Sequence, residues 1–290
     1  MTRPTTHTLD VPGATLTYDV RGALPAADGR LPLLLVGQPM DASGFGTLAS
    51  YLSDRTIVTY DPRGLGRSTR SDGTLENTPQ QQAEDLHLLV GELGGTVDLF
   101  GSSGGAVSGL HLVATHPEDV RTFVAHEPPV LSVLPDAVQA FAAERRVQET
   151  YQQRGWGAGM AAFIALTSVQ GEFTDDFGRD LPDPAQFGLP TDDDGSRVDP
   201  LLSGASNAVT AYRPDVAALT GASTRVVVAG GVESRNTLTW RTSAALADAL
   251  GQELTVFPSN HGGFLGGEFG QAGQPEAFAA RLREVLDAAD

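Results

Sequence analysis

Residues 101–105 read Gly-Ser-Ser-Gly-Gly. They follow an apolar run at Val97–Phe100 and open a helical pattern that extends to about Thr115. A G-x-S-x-G stretch between a strand and a helix needs a turn so tight that a Cβ on either flanking glycine would strike the neighbouring strand or helix. Such a turn lifts its central serine, Ser103, to the edge of a parallel sheet, where ligands of open α/β sheets collect. As a purely structural feature the same stretch would be a glycine-rich turn without chemistry.

The rest of the chain supplies the sheet this turn requires. Leu31–Gly37 is continuously apolar, as a strand buried on both faces must be. Further strands are expected at Thr56–Tyr60, Val97–Gly101, Arg121–Ala125, Arg225–Ala229 and Glu253–Phe257, and Ala14–Val20 alternates like an edge strand. Helical patterns lie between them. One opens at Thr78-Pro79, with Thr78 as N-cap and Gln81 closing a capping box. Another runs from Gly104 and must end before Pro117. Others cover about Arg241–Leu250 and Glu276–Asp287. Strands alternating with helices give an α/β fold with a mostly parallel, doubly wound sheet.

Between about 130 and 221 the alternation stops. Asp136–Arg154 and Gly159–Val169 have helical patterns, Gly171–Pro200 is acidic and rich in Gly and Pro, and a helical piece spans about Leu202–Tyr212. The division expected is a core of residues 1–130 and 222–290 carrying an inserted helical lid of residues 131–221.

Composition removes most competing chemistries. There is no cysteine, so disulfides, thiolate metal sites and a Cys nucleophile are excluded. All 19 basic residues are arginine, which excludes a Walker A loop, a pyridoxal Schiff base and an S-x-x-K acyl enzyme, each of which needs lysine. A net charge of −17 disfavours nucleic acid and anionic membrane. No apolar run approaches the roughly 18 residues of a membrane helix, and the first residues carry no apolar signal segment. The expected setting is cytoplasmic and the expected partner a small molecule. Oligomeric state cannot be read from the chain.

A serine hydroxyl is a weak nucleophile without a base. Of the six histidines, His261 lies in Ser259-Asn-His-Gly-Gly, just past the last strand, where sites of this architecture gather. His126 ends a strand and is a weaker rival. His87 and His111 fall among apolar helix positions. His111 and His116 are five apart and cannot share a metal on one helix face.

The order Ser, acid, His is that of α/β-hydrolases. Together with Asp61-Pro-Arg-Gly-Leu-Gly-Arg-Ser68, which matches that family's D-x-R-G-x-G-x-S, it makes the chain resemble a capped serine α/β-hydrolase from Ala14 to Leu286. The resemblance implies a triad acid at one of two places. Most members carry it after the seventh strand, where Glu233 stands in Gly230-Gly-Val-Glu, and a subset after the sixth, where Glu127 stands in His126-Glu-Pro-Pro. Position favours Glu233, with Glu127 as the rival. The resemblance also implies an oxyanion hole from the backbone N–H groups of Gly104 and Gln38. The loop Val36-Gly-Gln-Pro39 resembles the family's His-Gly-x-Pro with Val36 in place of the His, and the Gln38 side chain is available to compensate.

Other motifs fail on inspection. Asp192-Asp-Asp-Gly195 lacks calcium ligands at the first and twelfth positions, Pro190 and Leu201. Arg63-Gly-Leu-Gly lacks the dinucleotide spacing. No metal or organic cofactor is expected. The expected function is hydrolysis of a small neutral carboxylic ester or lactone through an acyl-enzyme, with Phe141, Trp156, Phe163, Phe173 and Phe187 available to line a lid pocket. The alternatives are a cofactor-free perhydrolase or C–C hydrolase on the same triad, or a hydrolase-fold receptor with little turnover.

Overall fold

A computed structural model describes residues 3–26 and 28–288. Nine strands form one sheet: β1 (Thr5–Val11), β2 (Ala14–Arg21), β3 (Leu33–Val36), β4 (Ile57–Asp61), β5 (Thr69–Arg70), β6 (Val97–Ser102), β7 (Val120–His126), β8 (Arg225–Gly231) and β9 (Thr255–Phe257). The spatial order is β1-β2-β4-β3-β6-β7-β8-β9, with the two-residue β5 pairing β2. Every pairing from β4 to β9 along this order is parallel, and only those of β2 are antiparallel. Ala14–Val20 is not an edge strand: Thr5–Val11, polar and exposed over most of its length, covers it and takes the edge itself.

The helices are α1 (Gly46–Tyr51), α2 (Pro79–Glu92), α3 (Gly104–Thr115), α4 (Ala137–Thr167), α5 (Asn207–Thr210), α6 (Val216–Gly221), α7 (Leu238–Ala249) and α8 (Pro275–Asp287). They close both faces of the sheet. On one face Leu34, Val36, Leu99 and Ala125 pack with Leu86, Leu89 and Leu110 of α2 and α3. On the other, Leu33, Leu35, Phe100 and Val124 pack with Leu48 of α1 and Phe278 and Leu282 of α8. Alternate residues of β3 therefore face opposite layers, which is why Leu33–Val36 is wholly apolar.

Local signals explain the element ends. Thr78 accepts the Gln81 N–H at 3.1 Å and caps α2. The Gln81 amide does not complete the box. It turns 3.4 Å toward Asp72. The chain from 131 to 221 is inserted between β7 and β8. Its long α4 contains the two expected helices, joined at Gly155, whose φ of 82° breaks the helical path. Leu131, Leu134, Tyr151, Phe173 and Leu202 form a third apolar cluster within it. The expected helix at Leu202–Tyr212 shrinks to one turn, α5, and a further short helix, α6, follows it. Among the described residues no helix is long and apolar enough to cross a membrane.

The Asp61–Ser68 motif is a clamp between sheet and loops. Asp61 accepts the backbone N–H groups of Ala42 and Arg67, each at 2.9 Å. The Ser68 hydroxyl donates to the Asp61 carbonyl and accepts the Thr17 N–H. Arg63, almost wholly buried, forks onto both oxygens of Asp85 on α2.

Candidate active site

The parallel register aligns the carboxyl ends of three strands. Gly101 lies opposite Ala125 and Ser102 opposite His126, while His126 lies opposite Ala229. The next residues out, Ser103 and Glu127, leave the sheet side by side. The Ser103 N–H donates to the His126 carbonyl at 3.0 Å, and the Glu127 N–H to Ala229 at 2.9 Å.

Ser103 sits at φ 57°, ψ −127°, a conformation L-residues adopt only when surroundings impose it. The surroundings are visible at the flanking glycines. A Cβ on Gly101 would come 2.8 Å from Ala106 Cα, and one on Gly105 would come 2.3 Å from the Val36 carbonyl oxygen. Helix and strand thus pinch the turn from both sides. Ser103 occupies the N-cap position of α3, where a serine normally caps, yet its hydroxyl makes no capping bond. The turn aims it instead into a cavity of about 430 Å³ between the sheet edge and the inserted helices.

His261 lines the same cavity. It is held in a tight turn in which Asn260 accepts the N–H groups of Gly262 and Gly263. Its Nδ1 lies 2.7 Å from Glu127 Oε2. That carboxylate also accepts the Gly231 N–H at 2.8 Å and the Thr239 hydroxyl at 2.6 Å. Burial works against its charge, but the hydrogen bond and charge of His261, with His126 and Thr239 behind them, hold Glu127 well below the usual carboxylate range.

The structure thus brings His261 to Glu127, the rival acid, and not to Glu233. Glu233 does line the cavity, but it enters a 3₁₀ turn after β8 and its carboxylate is taken up elsewhere. It accepts the Gln274 amide at 2.9 Å and the Ser259 hydroxyl at 3.3 Å. The signal missed in the sequence was backbone: Glu127 stands at φ 49°, a turn that swings its side chain across the end of β8 to reach the histidine loop.

One of the two expected oxyanion donors is occupied in this structure. The Gly104 N–H already donates to the Gln38 carbonyl, at 3.2 Å. Of the two expected donors, Gly104 is therefore engaged by the other residue of the pair. The Gln38 side chain is buried, and its amide nitrogen and oxygen have no protein partner among the described residues.

Of the aromatics named from the sequence, only Phe163 reaches the cavity. Phe173 is buried in the insertion's own core, Phe141 and Trp156 pack against it, and Phe187 is exposed. Asp193 pairs with Arg197 and caps its own turn, which agrees with a solvated loop. His126 is no rival base: it is fully buried, its Nδ1 3.2 Å from the Ser102 hydroxyl, and desolvation pulls it down to about 4. His111 meets the Tyr212 hydroxyl. His116 pairs with His87 rather than His111, and with Asp119 they place three ligand-type atoms within 4.8 Å. The two rings stack at 3.8 Å and 14°. Their in-plane lone pairs therefore lie in separate parallel planes, and Asp119 occupies His87 Nδ1. One ion could face both rings only after one of them turned.

Comparison with known proteins agrees with this architecture. A family model described as "Alpha/beta hydrolase family" matches residues 33–281. The chain belongs to the α/β-hydrolase family. Among curated proteins, the uncharacterized hydrolase YraK of Bacillus subtilis (strain 168) is 31% identical over 286 residues, covering 97% of this chain and 95% of that protein. Among solved structures, a thermophilic esterase from Thermogutta terrifontis matches with a TM-score of 0.62 at 23% identity, over 98% of each chain. An enol-lactonase from Burkholderia xenovorans LB400 matches with a TM-score of 0.63 at 18% identity, over 97% of this α/β-hydrolase and all of that chain.

Proposed function

We propose that this α/β-hydrolase cleaves a small carboxylic ester or lactone through an acyl-enzyme on Ser103, with His261 as base and Glu127 as the acid that orients it. The observation that carries this reading is the 2.7 Å contact of His261 Nδ1 with a carboxylate buried away from solvent. A proton fixed on Nδ1 leaves Nε2 as the acceptor a serine base requires. The esterase and enol-lactonase among the structural neighbours support the same substrate class.

In the proposed cycle His261 Nε2 takes the Ser103 proton as Oγ bonds the carbonyl carbon, and the carbonyl π-electron pair moves to oxygen. The resulting oxyanion accepts the Gly104 N–H in place of the Gln38 carbonyl, and the Gln38 backbone N–H is the second donor. The oxyanion re-forms the carbonyl, the C–O bond to the alcohol breaks, and His261 returns its proton to the leaving oxygen. Water then repeats the sequence on the acyl-enzyme and releases the acid. Residues 131–221 act as a lid over the cavity, and the core is 1–130 with 222–290.

The test is a panel of p-nitrophenyl esters and γ-lactones assayed with the wild type and Ser103→Ala. Turnover of short neutral esters, abolished in the variant, is expected. Absence of turnover across the panel, or its survival in Ser103→Ala, contradicts the reading.

A further inference from the structure

The helical side of the cavity carries a carboxylic acid that the proposed cycle does not use. Glu144, Val147 and Gln148 lie at i, i+3 and i+4 on α4, so one helix face presents all three to the cavity. Gln148 and Asn207 exchange hydrogen bonds with each other through their amides. The Thr210 hydroxyl, a hydrogen-bonding neighbour that favours the charged form of Glu144, also lies within donating distance of the Asn207 carbonyl. The Glu144 carboxyl thus has a neutral hydrogen-bonding neighbour, but it forms no ion pair with any arginine among the described residues.

The charge around it is one-sided. The ionisable residues lining the cavity are Glu144 and Glu233, with His261 as the base, and no arginine is among them. Arg145, next to Glu144 in sequence, is exposed on another face of α4 and acts on it only through space. An acid in a largely apolar cavity without a counter-charge is poorly placed for protein stability, since desolvation disfavours its charged form. A positively charged ligand group would supply what is missing. The net charge of −17 would draw such a ligand in and repel an anionic one.

We infer that Glu144 is a specificity residue that receives a positively charged ammonium group of the substrate, so the preferred substrates are cationic esters. This rests on the ester-hydrolase reading for the reaction, and replaces the neutral ester expected from sequence with a cationic one. Desolvation pushes the Glu144 carboxyl up to about 7. An ammonium group beside it restores the charge, and above pH 7 the carboxylate is formed even without a ligand.

The probe is an isosteric pair: butyrylcholine, and its neutral carbon analogue 3,3-dimethylbutyl butyrate. Their kcat/KM values are measured by pH-stat titration at pH 8 with the wild type and Glu144→Gln. The readout is the cationic-to-neutral ratio within each protein, which cancels any general loss in the variant. A ratio of about tenfold or more in the wild type, falling to near one in Glu144→Gln, is expected for one ion pair. A ratio near one in the wild type, or one that survives the substitution, overturns the inference.

Binding separates this from the catalytic reading. Choline and 3,3-dimethylbutan-1-ol are titrated calorimetrically into Ser103→Ala and into Ser103→Ala/Glu144→Gln. Choline binding that exceeds alcohol binding only while Glu144 is present upholds the cation site even if neither ester turns over, in which case the ester reading alone fails. Equal binding of the two ligands rejects the cation site whatever the kinetics.

Discussion

His261 and Glu127 are 134 residues apart in the chain, and their side chains meet at 2.7 Å. Glu127 is fully buried, while the histidine side chain remains 43% exposed toward the cavity. The pair is anchored from behind by Gly231 and Thr239, which donate to the two carboxylate oxygens. The histidine is thereby oriented by a residue that has no other freedom.

Glu127→Gln should lower kcat by about 10⁴-fold, because an amide cannot hold the proton on Nδ1 in the same way. Glu233→Gln should cost less than about tenfold, since its partners are Ser259 and Gln274. Steady-state kinetics on one activated ester compares the two. A larger loss in the Glu233 variant would reverse the assignment.

The tight turn at Ser103 predicts a stability effect separable from chemistry. Gly105→Ala drives a methyl group to within 2.3 Å of the Val36 carbonyl, and should destabilise the fold by about 3 kcal/mol. Gly91→Ala, where a Cβ meets nothing within 4 Å, should be neutral or slightly stabilising. Urea denaturation of both variants checks the contrast.

Arg63 tests the clamp. Its guanidinium is buried against Asp85, and removing it leaves a buried carboxylate without its partner. Arg63→Ala should cost about 3–5 kcal/mol, measured as a shift in the denaturation midpoint. A loss below about 1 kcal/mol would mean that water replaces the guanidinium.

His126 gives the acid limb of stability. The unfolded chain takes up a proton there from about pH 6.5 downward, but the folded protein only below about 4, because desolvation opposes the charge. Stability is therefore present above pH 6.5 and lost as pH falls through this window, by on the order of 3 kcal/mol from this residue. The difference in Tm between wild type and His126→Phe, followed from pH 7 to 4, should narrow accordingly. A constant difference would exclude His126 as a source of the slope.

Much of this arrangement was legible in the sequence, and the gaps have physical causes. Glycines at 101 and 105 encode a close approach that any side chain would obstruct, so the turn at Ser103 could be read directly. Leu33–Val36 announces burial on both faces. The acid partner could not be read, because Glu127 and Glu233 both follow strands that end beside His261. What separates them is the left-handed backbone at Glu127, which no side-chain pattern encodes. The same limit applies to Gly104: the motif identifies its N–H as a donor but not that the Gln38 carbonyl already holds it. Glu144 is equally hidden in the sequence, since an acid on a helix reads as solvent-facing until the opposing elements are in place.

The proposed cycle stands or falls on Ser103 as the nucleophile. The most direct measurement of this role is fluorophosphonate labelling of the wild type, Ser103→Ala and Glu127→Gln, followed by peptide mapping in a mass spectrometer. One adduct per chain on Ser103, none in Ser103→Ala, and labelling slowed by orders of magnitude in Glu127→Gln are expected. An adduct on another residue, no adduct at all, or undiminished labelling in Glu127→Gln would contradict the proposed cycle.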